Sequence, residues 1–132
     1  MKRIFRKKLS DAESIFDRPP DVEVIFEFNG TRSKPEYSGY RPAHLVTDTY
    51  LTTGIHHYYG VDSVPADGTA KGTITFITPE AYPHCLWIGK KIRIQEGGRI
   101  VGYATVTEVY NPLLRADEQG EDKKRKESCK GY

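Results

Sequence analysis

The sequence is short of the features that mark membrane proteins and secreted proteins. No apolar run approaches the length of about 20 residues that spans a bilayer. Basic residues at the start, such as Lys7 and Lys8, are followed by no apolar stretch, so we expect no secretory signal. With 132 residues and 37% hydrophobic side chains, the chain has the size and composition of one globular domain. We expect it in the cytoplasm, with no membrane partner.

Cysteine is also scarce, which argues against several kinds of site. The two cysteines, Cys85 and Cys129, form no C-x-x-C pair of the kind that binds zinc. We therefore expect two reduced thiols, no metal and no cofactor. His84 and Cys85 could serve as a base and a nucleophile, but neighbours in sequence rarely reach the geometry that this chemistry needs. A catalytic role is the least favoured interpretation, and we expect no enzyme.

A phosphate-binding loop of the form G-x-x-x-x-G-K-[ST] is absent from the sequence. Such a loop works because its backbone N–H groups point at phosphate oxygens while lysine and a hydroxyl supply charge and Mg²⁺ ligation. Gly89-Lys90 lacks the neighbours that this loop requires. The sequence therefore predicts that no nucleotide is bound by this chain alone.

Proline and charge divide the chain into three parts. Arg18-Pro19-Pro20 ends any preceding helix, and Asn111-Pro112 closes the last strand pattern. We predict a basic N-terminal arm at 1–20 that is a short helix or disordered, a β-barrel domain at 21–114, and a charged disordered tail at 115–132. The formal net charge is +2, and its positive excess lies in the two arms. Such arms attract phosphate backbones or are simply solvated, and both interpretations stay open.

The middle of the chain has the period of β-strands. Val22, Val24, Phe26 and Phe28 alternate with more polar residues, as in a half-buried strand. Several short strands with turn signals between them predict an all-β sandwich or barrel. The predicted strands are residues 22–28, 44–53, 73–77, 91–95 and 100–110.

Glycines predict where these strands turn or bend. Glu96-Gly97-Gly98-Arg99 supplies a glycine pair for a tight hairpin. Gly102 predicts a bend or bulge within the longest strand. The pattern of that strand places five residues on one face, namely Val101, Tyr103, Thr105, Thr107 and Val109.

Three segments, taken in order, resemble the third domain of the elongation factor Tu family. Gly39-Tyr40-Arg41-Pro42 followed by Thr52-Thr53-Gly54 resembles the family's Gly-Tyr-Arg-Pro strand that runs on to Val-Thr-Gly. Residues 72–79 resemble its strand ending in proline. Residues 92–102 resemble its final hairpin, Ile-Arg-Glu-Gly-Gly-Arg-Thr-Val-Gly. The likeness spans nearly the whole predicted domain, and the family's GTPase domain is not in this sequence.

The resemblance implies a small six-stranded antiparallel β-barrel. In the family this domain contacts the T-stem backbone of aminoacyl-tRNA, the GTPase domain and the nucleotide-exchange factor. The matching positions imply that Glu96–Arg99, together with Thr53 and Gly54, form the surface that approaches RNA. Ala43 stands where the family has Gln, and Gln95 stands where it has Arg, so two contacts with RNA are missing.

Two further strings are candidates for binding. His56-His57-Tyr58-Tyr59 is the most unusual, and we interpret it as a surface loop or partner contact, although its tyrosines could equally cap the barrel. Its adjacent histidines make a poor metal site, because strand neighbours point to opposite faces. Arg41 lies in a basic aromatic stretch that either reads a nucleic-acid backbone or is structural.

These observations predict a non-enzymatic binding module with a protein partner, and the resemblance makes a translation component the natural class of partner. The alternative is an RNA-binding module that contacts the backbone of tRNA or a tRNA-like RNA. Salt separates the two, because neutralising phosphates releases counterions and makes affinity fall steeply with salt.

Overall fold

The computed structural model describes residues 18–116, and the parts of the two predicted arms beyond this range lie outside the described residues. The strands are β1 (Val22–Phe28), β2 (Glu36–Tyr37), β3 (Ala43–Leu45), β4 (Leu51–Tyr58), β5 (Ser63–Val64), β6 (Thr69–Phe76), β7 (Lys91–Glu96) and β8 (Arg99–Val109). Six of them close into an antiparallel barrel in the order β1–β6–β4–β3–β7–β8, which confirms the predicted fold. Within residues 18–116, no helix is long and apolar enough to cross a membrane.

The barrel interior is filled by side chains from alternating strand positions. Val22, Val24 and Phe26 of β1 have no exposed surface, as their alternation predicts. Ile74 and Phe76 of β6 are equally buried. Burying one such side chain stabilises the fold by roughly 1.5–3 kcal/mol, so this apolar interior is the main source of stability.

The strand predicted at 44–53 is in fact two strands. β3 and β4 pair antiparallel, with Ala43 opposite Thr53 and Leu45 opposite Leu51. Between them the backbone turns: the Val46 N–H donates to the Tyr50 carbonyl at 3.0 Å, and the Tyr50 N–H donates to Thr47 Oγ1 at 3.1 Å. High β propensity runs through the turn, and propensity alone therefore did not reveal it.

The predicted single face of β8 is wrong at both ends. Val101 and Val109 are buried, whereas Tyr103, Thr105 and Thr107 are only half-buried. The pairing slips by one residue twice, at Ile94/Gln95 against β7 and at Glu23/Val24 against β1. Each bulge reverses the alternation of faces, so the end residues of β8 point inward while its middle follows the other parity.

Gly102 lies at the first bulge, as predicted. Glycine is required at this position because backbone atoms approach it closely. A Cβ built there would lie 2.4 Å from the Glu27 carbonyl oxygen and 2.9 Å from Phe28 Cα. The predicted hairpin is also confirmed: Glu96 pairs with Arg99, and Gly97 has a positive φ of 59°. Both glycines are thus needed for the path of the chain.

The short ladder between β2 and β5 pairs Glu36 with Val64 and Tyr37 with Ser63. The chain after β2 then runs beside β4. The Gly39 N–H donates to the His56 carbonyl at 2.7 Å, and the His56 N–H donates to the Tyr40 carbonyl at 2.9 Å. This path brings the Glu36 and Tyr40 side chains next to those of β4 and the hairpin.

We predict that Gly102→Ala lowers the free energy of unfolding by roughly 2–3 kcal/mol, because backbone atoms cannot move away from the new methyl group without breaking strand pairs. Gly98→Ala is the matched control. Its Cβ would meet nothing within 4 Å, so its stability should change by less than about 0.5 kcal/mol. Urea unfolding curves measure both changes, and equal effects would contradict the proposed close approach.

Candidate functional site

The predicted site residues fall in three places. Glu96, Gly97, Gly98 and Arg99 form the β7–β8 hairpin, Gly54, His56 and Tyr58 are buried, and Arg41, Thr53, His57 and Tyr59 are wholly or partly exposed elsewhere. The alternation expected for neighbouring strand residues is confirmed for His56 and His57. The interpretation of the whole string as a surface loop is wrong, because His56, His57 and Tyr58 belong to β4 and only Tyr59 lies in the turn that follows.

At the hairpin, Glu96 accepts from three side chains. Arg32 Nη1 lies 2.5 Å from Glu96 Oε2, the Tyr40 hydroxyl donates to the same oxygen, and Arg99 Nη2 donates to Oε1 at 3.0 Å. Burial by itself raises the pKa of Glu96, but hydrogen bonds from Tyr40, Arg32 and Arg99 outweigh it and lower that pKa. Glu96 is therefore held as a carboxylate.

Arg32 also contacts a second carboxylate, that of Glu36. Its Nε lies 2.6 Å from Glu36 Oε2, and the Glu36 side chain has no exposed surface. Burial raises the pKa of Glu36, and the charge of Arg32 opposes this rise. Arg32 and Glu36 form an ion pair, but the Arg32 Nε–H does not point at the carboxylate well enough to make a hydrogen bond. Neither Glu36 carboxylate oxygen has a hydrogen-bond partner among the described residues. Arg32 thus joins the β2 segment to the hairpin.

The hairpin cluster is electrically balanced. Its two guanidinium groups, on Arg32 and Arg99, face two carboxylates, on Glu36 and Glu96. Gly97 and Gly98 are exposed between them. The arginines of this turn are therefore already paired within the protein.

The other residues of the surface implied by the resemblance are divided by the sheet. Thr53 pairs with Ala43, which pairs with Gln95, so it lies roughly 10 Å from the start of the hairpin. Arg41 is exposed. Gly54 is buried, and a Cβ there would lie 2.9 Å from His44 Cε1. Gly54 is a packing residue, which corrects its assignment to a binding surface.

Inside the barrel, three side chains form a hydrogen-bonded series. The Nε2 atoms of His44 and His56 lie 2.8 Å apart, and His56 Nδ1 lies 3.0 Å from the Tyr58 hydroxyl. His44 Nδ1 lies 3.3 Å from the Thr52 carbonyl oxygen. All three side chains are buried, so His56 and Tyr58 cannot contact a partner, contrary to the expectation for them.

The direction of these hydrogen bonds follows from the carbonyl group, which can only accept. His44 Nδ1 must carry the proton toward Thr52, which leaves His44 Nε2 as an acceptor for the His56 Nε2–H. His56 Nδ1 then accepts from the Tyr58 hydroxyl. Every polar atom of the series has a partner when both histidines are neutral, and a proton added to His44 Nε2 would break the bond between the two rings.

Burial also keeps both histidines neutral. It lowers the pKa of His44 to about 4. The pKa of His56 is lowered as well, first by burial and then by the nearby His44. Phe26 packs on His56, with ring centroids 4.3 Å apart, so no solvent screens a charge there.

The outer sheet carries a surface that we call the tyrosine face, formed by Glu23, Ile25, His57, Tyr59 and Tyr110. Glu23 stands at its centre in β1 and accepts from the hydroxyls of Thr107 at 2.7 Å, Tyr59 at 3.1 Å and Tyr110 at 3.4 Å. Lys71 Nζ lies 3.5 Å from the same carboxylate. Ile25, Tyr59 and Tyr110 remain 40%, 41% and 46% exposed. The face thus presents two tyrosine rings attached to one carboxylate.

Sequence reasoning missed Glu23, Glu36, His44 and Tyr110 as site residues. Glu23 and Tyr110 are far apart in sequence, near the two ends of the domain's chain, although their side chains are in contact. The distance between His44 and His56 is likewise set by strand pairing. A local pattern carries no signal for such contacts. Only the alternation of His57 and Tyr59 indicated the outward face.

The expectation of a reduced thiol at Cys85 is wrong. Its side chain is buried and its sulfur is held in a disulfide. His84 is exposed, has a positive φ of 60°, and its Nδ1 lies 3.0 Å from the Arg115 carbonyl oxygen. A sulfur in a disulfide cannot act as a thiolate nucleophile.

No protein-family model matches the chain. Within residues 18–116, no group of three histidine, cysteine or acidic side chains could hold a metal ion.

We predict that the protein loses stability as the pH falls from about 6.5 to about 4. The unfolded histidines bind protons below their ordinary pKa of about 6.5, whereas the folded pair resists protonation, so acid favours unfolding by roughly 1.4 kcal/mol per pH unit for each group. Below the folded pKa of His44, about 4, its contribution is already lost.

Melting temperatures measured from about pH 7.5 down to about pH 4.5 test this loss, which should begin at about pH 6.5. His57→Gln should keep the pH dependence, because His57 is not a member of the buried series that causes it. The double variant His44→Leu/His56→Leu should flatten it whatever its absolute stability. An unchanged slope in the double variant would rule out the buried pair as the cause.

A separate prediction concerns Arg32. Arg32→Met removes the cation between two carboxylates, leaves Glu36 buried without an ion pair, and should cost roughly 3 kcal/mol of stability. Adding Glu36→Gln should recover part of that loss. Arg99→Met is the control, since this more exposed pair should contribute less than about 1 kcal/mol. Denaturant unfolding measures all four proteins, and equal losses for Arg32→Met and Arg99→Met would contradict the prediction.

Proposed function

We propose that this chain is a non-enzymatic binding barrel whose tyrosine face contacts a protein partner. The resemblance to the third domain of elongation factor Tu belongs to the same proposal, and it suggests that the partner is a component of translation. The observation that carries the proposal is the pair of half-exposed tyrosine rings, Tyr59 and Tyr110, attached to Glu23.

Tyrosine suits a protein interface because it combines a large contact area with few rotatable bonds and a polar tip. Here both hydroxyls are tied to one carboxylate, so the rings lose little conformational freedom when a partner binds. Ile25 adds apolar area, and the rings of His57 and Tyr59 lie 6.3 Å apart, centroid to centroid. β6 lies between β1 and β4, and the Tyr59 hydroxyl reaches across it to Glu23.

The pairing of charges at the hairpin favours a protein over RNA. An RNA-binding turn needs cations that can neutralise phosphate, and Arg32 and Arg99 are already neutralised by Glu36 and Glu96. Breaking these ion pairs to bind phosphate would leave a buried carboxylate at Glu36. RNA binding through this turn is therefore the less favoured function.

The interior histidines support a non-enzymatic role. General acid–base catalysis requires a group within hydrogen-bond reach of a substrate. His44 and His56 are buried and are bonded to each other, to Thr52 and to Tyr58. The cytoplasmic location expected from the sequence stays a prediction, and the disulfide of Cys85 weighs against it, because reducing compartments keep thiols reduced.

The test is capture of binding proteins from lysate by four tagged forms of the full chain, with nuclease and with stepped salt. The forms are the wild type, Tyr59→Ala/Tyr110→Ala, and the controls Arg99→Ala and Arg41→Ala. We expect a protein that survives nuclease and high salt, that is reduced roughly tenfold or more by the tyrosine variant, and that is retained by both arginine variants. Melting temperatures confirm that each variant is folded.

The opposite pattern would overturn the proposal. RNA that is lost with nuclease, with modest salt and with Arg99→Ala or Arg41→Ala would make the chain an RNA-binding module. Capture that does not depend on either pair of residues would place the binding surface elsewhere.

A further inference from the structure

The hydroxyl protons of the tyrosine face are all used in hydrogen bonds to the Glu23 carboxylate. The hydroxyls of Thr107, Tyr59 and Tyr110 all donate to Glu23. A hydroxyl has one proton, so each of these groups can offer a partner only its lone pairs. The polar centre of the face therefore presents acceptor oxygens around a negative charge, and a partner must supply the donors.

Neighbouring charges reinforce this polarity. Glu108 of β8 is the cross-strand partner of Glu23 and is exposed, and Glu27 lies further along the same face of β1 and is also exposed. Lys71 contacts Glu23 and offsets one of these charges. Around Glu23 itself, two carboxylates against one ammonium group leave the region acidic.

The two tyrosine rings select among possible donors. Their faces carry the negative part of the ring quadrupole, which attracts an ammonium or guanidinium group. This protein already uses such contacts on its outer surface, since Lys91 Nζ lies 5.1 Å from the centre of the Tyr103 ring. A cation placed against the Tyr59 and Tyr110 rings would meet aromatic faces and acceptor oxygens, whereas a phosphate there would meet acceptors and negative charge only.

We propose that the tyrosine face recognises a lysine or arginine side chain in an exposed segment of its protein partner. The cation occupies the position above Glu23, donates to the tyrosine hydroxyl oxygens, and lies against the rings. This inference rests on the proposed function and names the chemistry of the partner at that same surface.

The experiment uses the full chain and a defined probe. The probe is a fluorescein-labelled peptide of glycine and serine that carries two arginines, compared with the same peptide carrying glutamine at those positions. Binding is followed by fluorescence anisotropy at about 0.15 M salt, where charges more than about 8 Å apart are screened. We expect the arginine peptide to bind at least roughly tenfold more tightly than the glutamine peptide.

Glu23→Gln is the decisive variant. Glutamine keeps a carbonyl oxygen that can accept from the tyrosine and threonine hydroxyls, so the rings stay in place while the charge is removed. Glu23→Gln should lower the affinity of the protein for the arginine peptide by roughly threefold to tenfold. Asp48→Asn is the matched control, because Asp48 is an exposed acid next to β3, the strand opposite β1 in the barrel. It should leave affinity unchanged.

Aromatic NMR spectra locate the peptide. The ring signals of Tyr59 and Tyr110 should shift during titration with the arginine peptide, while those of Tyr82, which is buried, should not. Equal binding of the two peptides, equal loss in Glu23→Gln and Asp48→Asn, or shifts elsewhere would each overturn the inference.

The two proposals fail separately. If the captured protein still depends on Tyr59 and Tyr110 but the arginine peptide shows no preference, the surface is a protein interface of different chemistry. If the arginine peptide binds at Glu23 but protein capture is independent of both tyrosines, the cation site stands and the proposed function is wrong.

Discussion

Closure of the sheet is the constraint on which the rest of the structure depends. In a closed barrel each strand has one face toward a packed interior and one toward solvent, and no edge is left to pair with another chain. Neighbours in sequence therefore meet opposite environments. His56 and Tyr58 lie in the interior, whereas His57 and Tyr59 lie on the surface and are available to a partner.

An interior of this kind admits polar groups only when they satisfy one another. His44, His56 and Tyr58 do so in a series that begins at the Thr52 carbonyl group, and it is complete only when both histidines are neutral. Glu36 is the contrasting case, because it is fully buried and depends on the single cation of Arg32. The first group is expected to make the barrel sensitive to acid, and the second joins the β2 segment to the hairpin.

Two carboxylates organise the two outer surfaces in different ways. Glu96 is bound by two arginines and a tyrosine, which closes the hairpin cluster to an outside anion. Glu23 is bound chiefly by hydroxyl groups, with Lys71 as its one cation, and its neighbouring rings are held outward. One surface is thus electrically satisfied, and the other is acidic and aromatic. Because of this difference we propose a cationic protein segment, and not a nucleic acid, as the partner.

The sequence by itself determined the class of fold, the alternation of β1 and the β7–β8 turn, because these depend on periods of two residues and on glycines within a few positions of one another. It also indicated the bulge at Gly102. It placed the faces of β8 wrongly, because two one-residue slips in pairing reverse the pattern. The division of 44–53 into two strands was likewise hidden by uniform β propensity.

Only the tertiary structure decided which residues meet. Glu23 contacts Tyr59 and Tyr110, and Arg32 contacts Glu96, across separations that no local pattern encodes. The physical reason is that a barrel brings together residues by strand order and register, which are properties of the whole closed sheet. The chemistry of each side chain could be predicted from the sequence, but the side chains that it contacts could not.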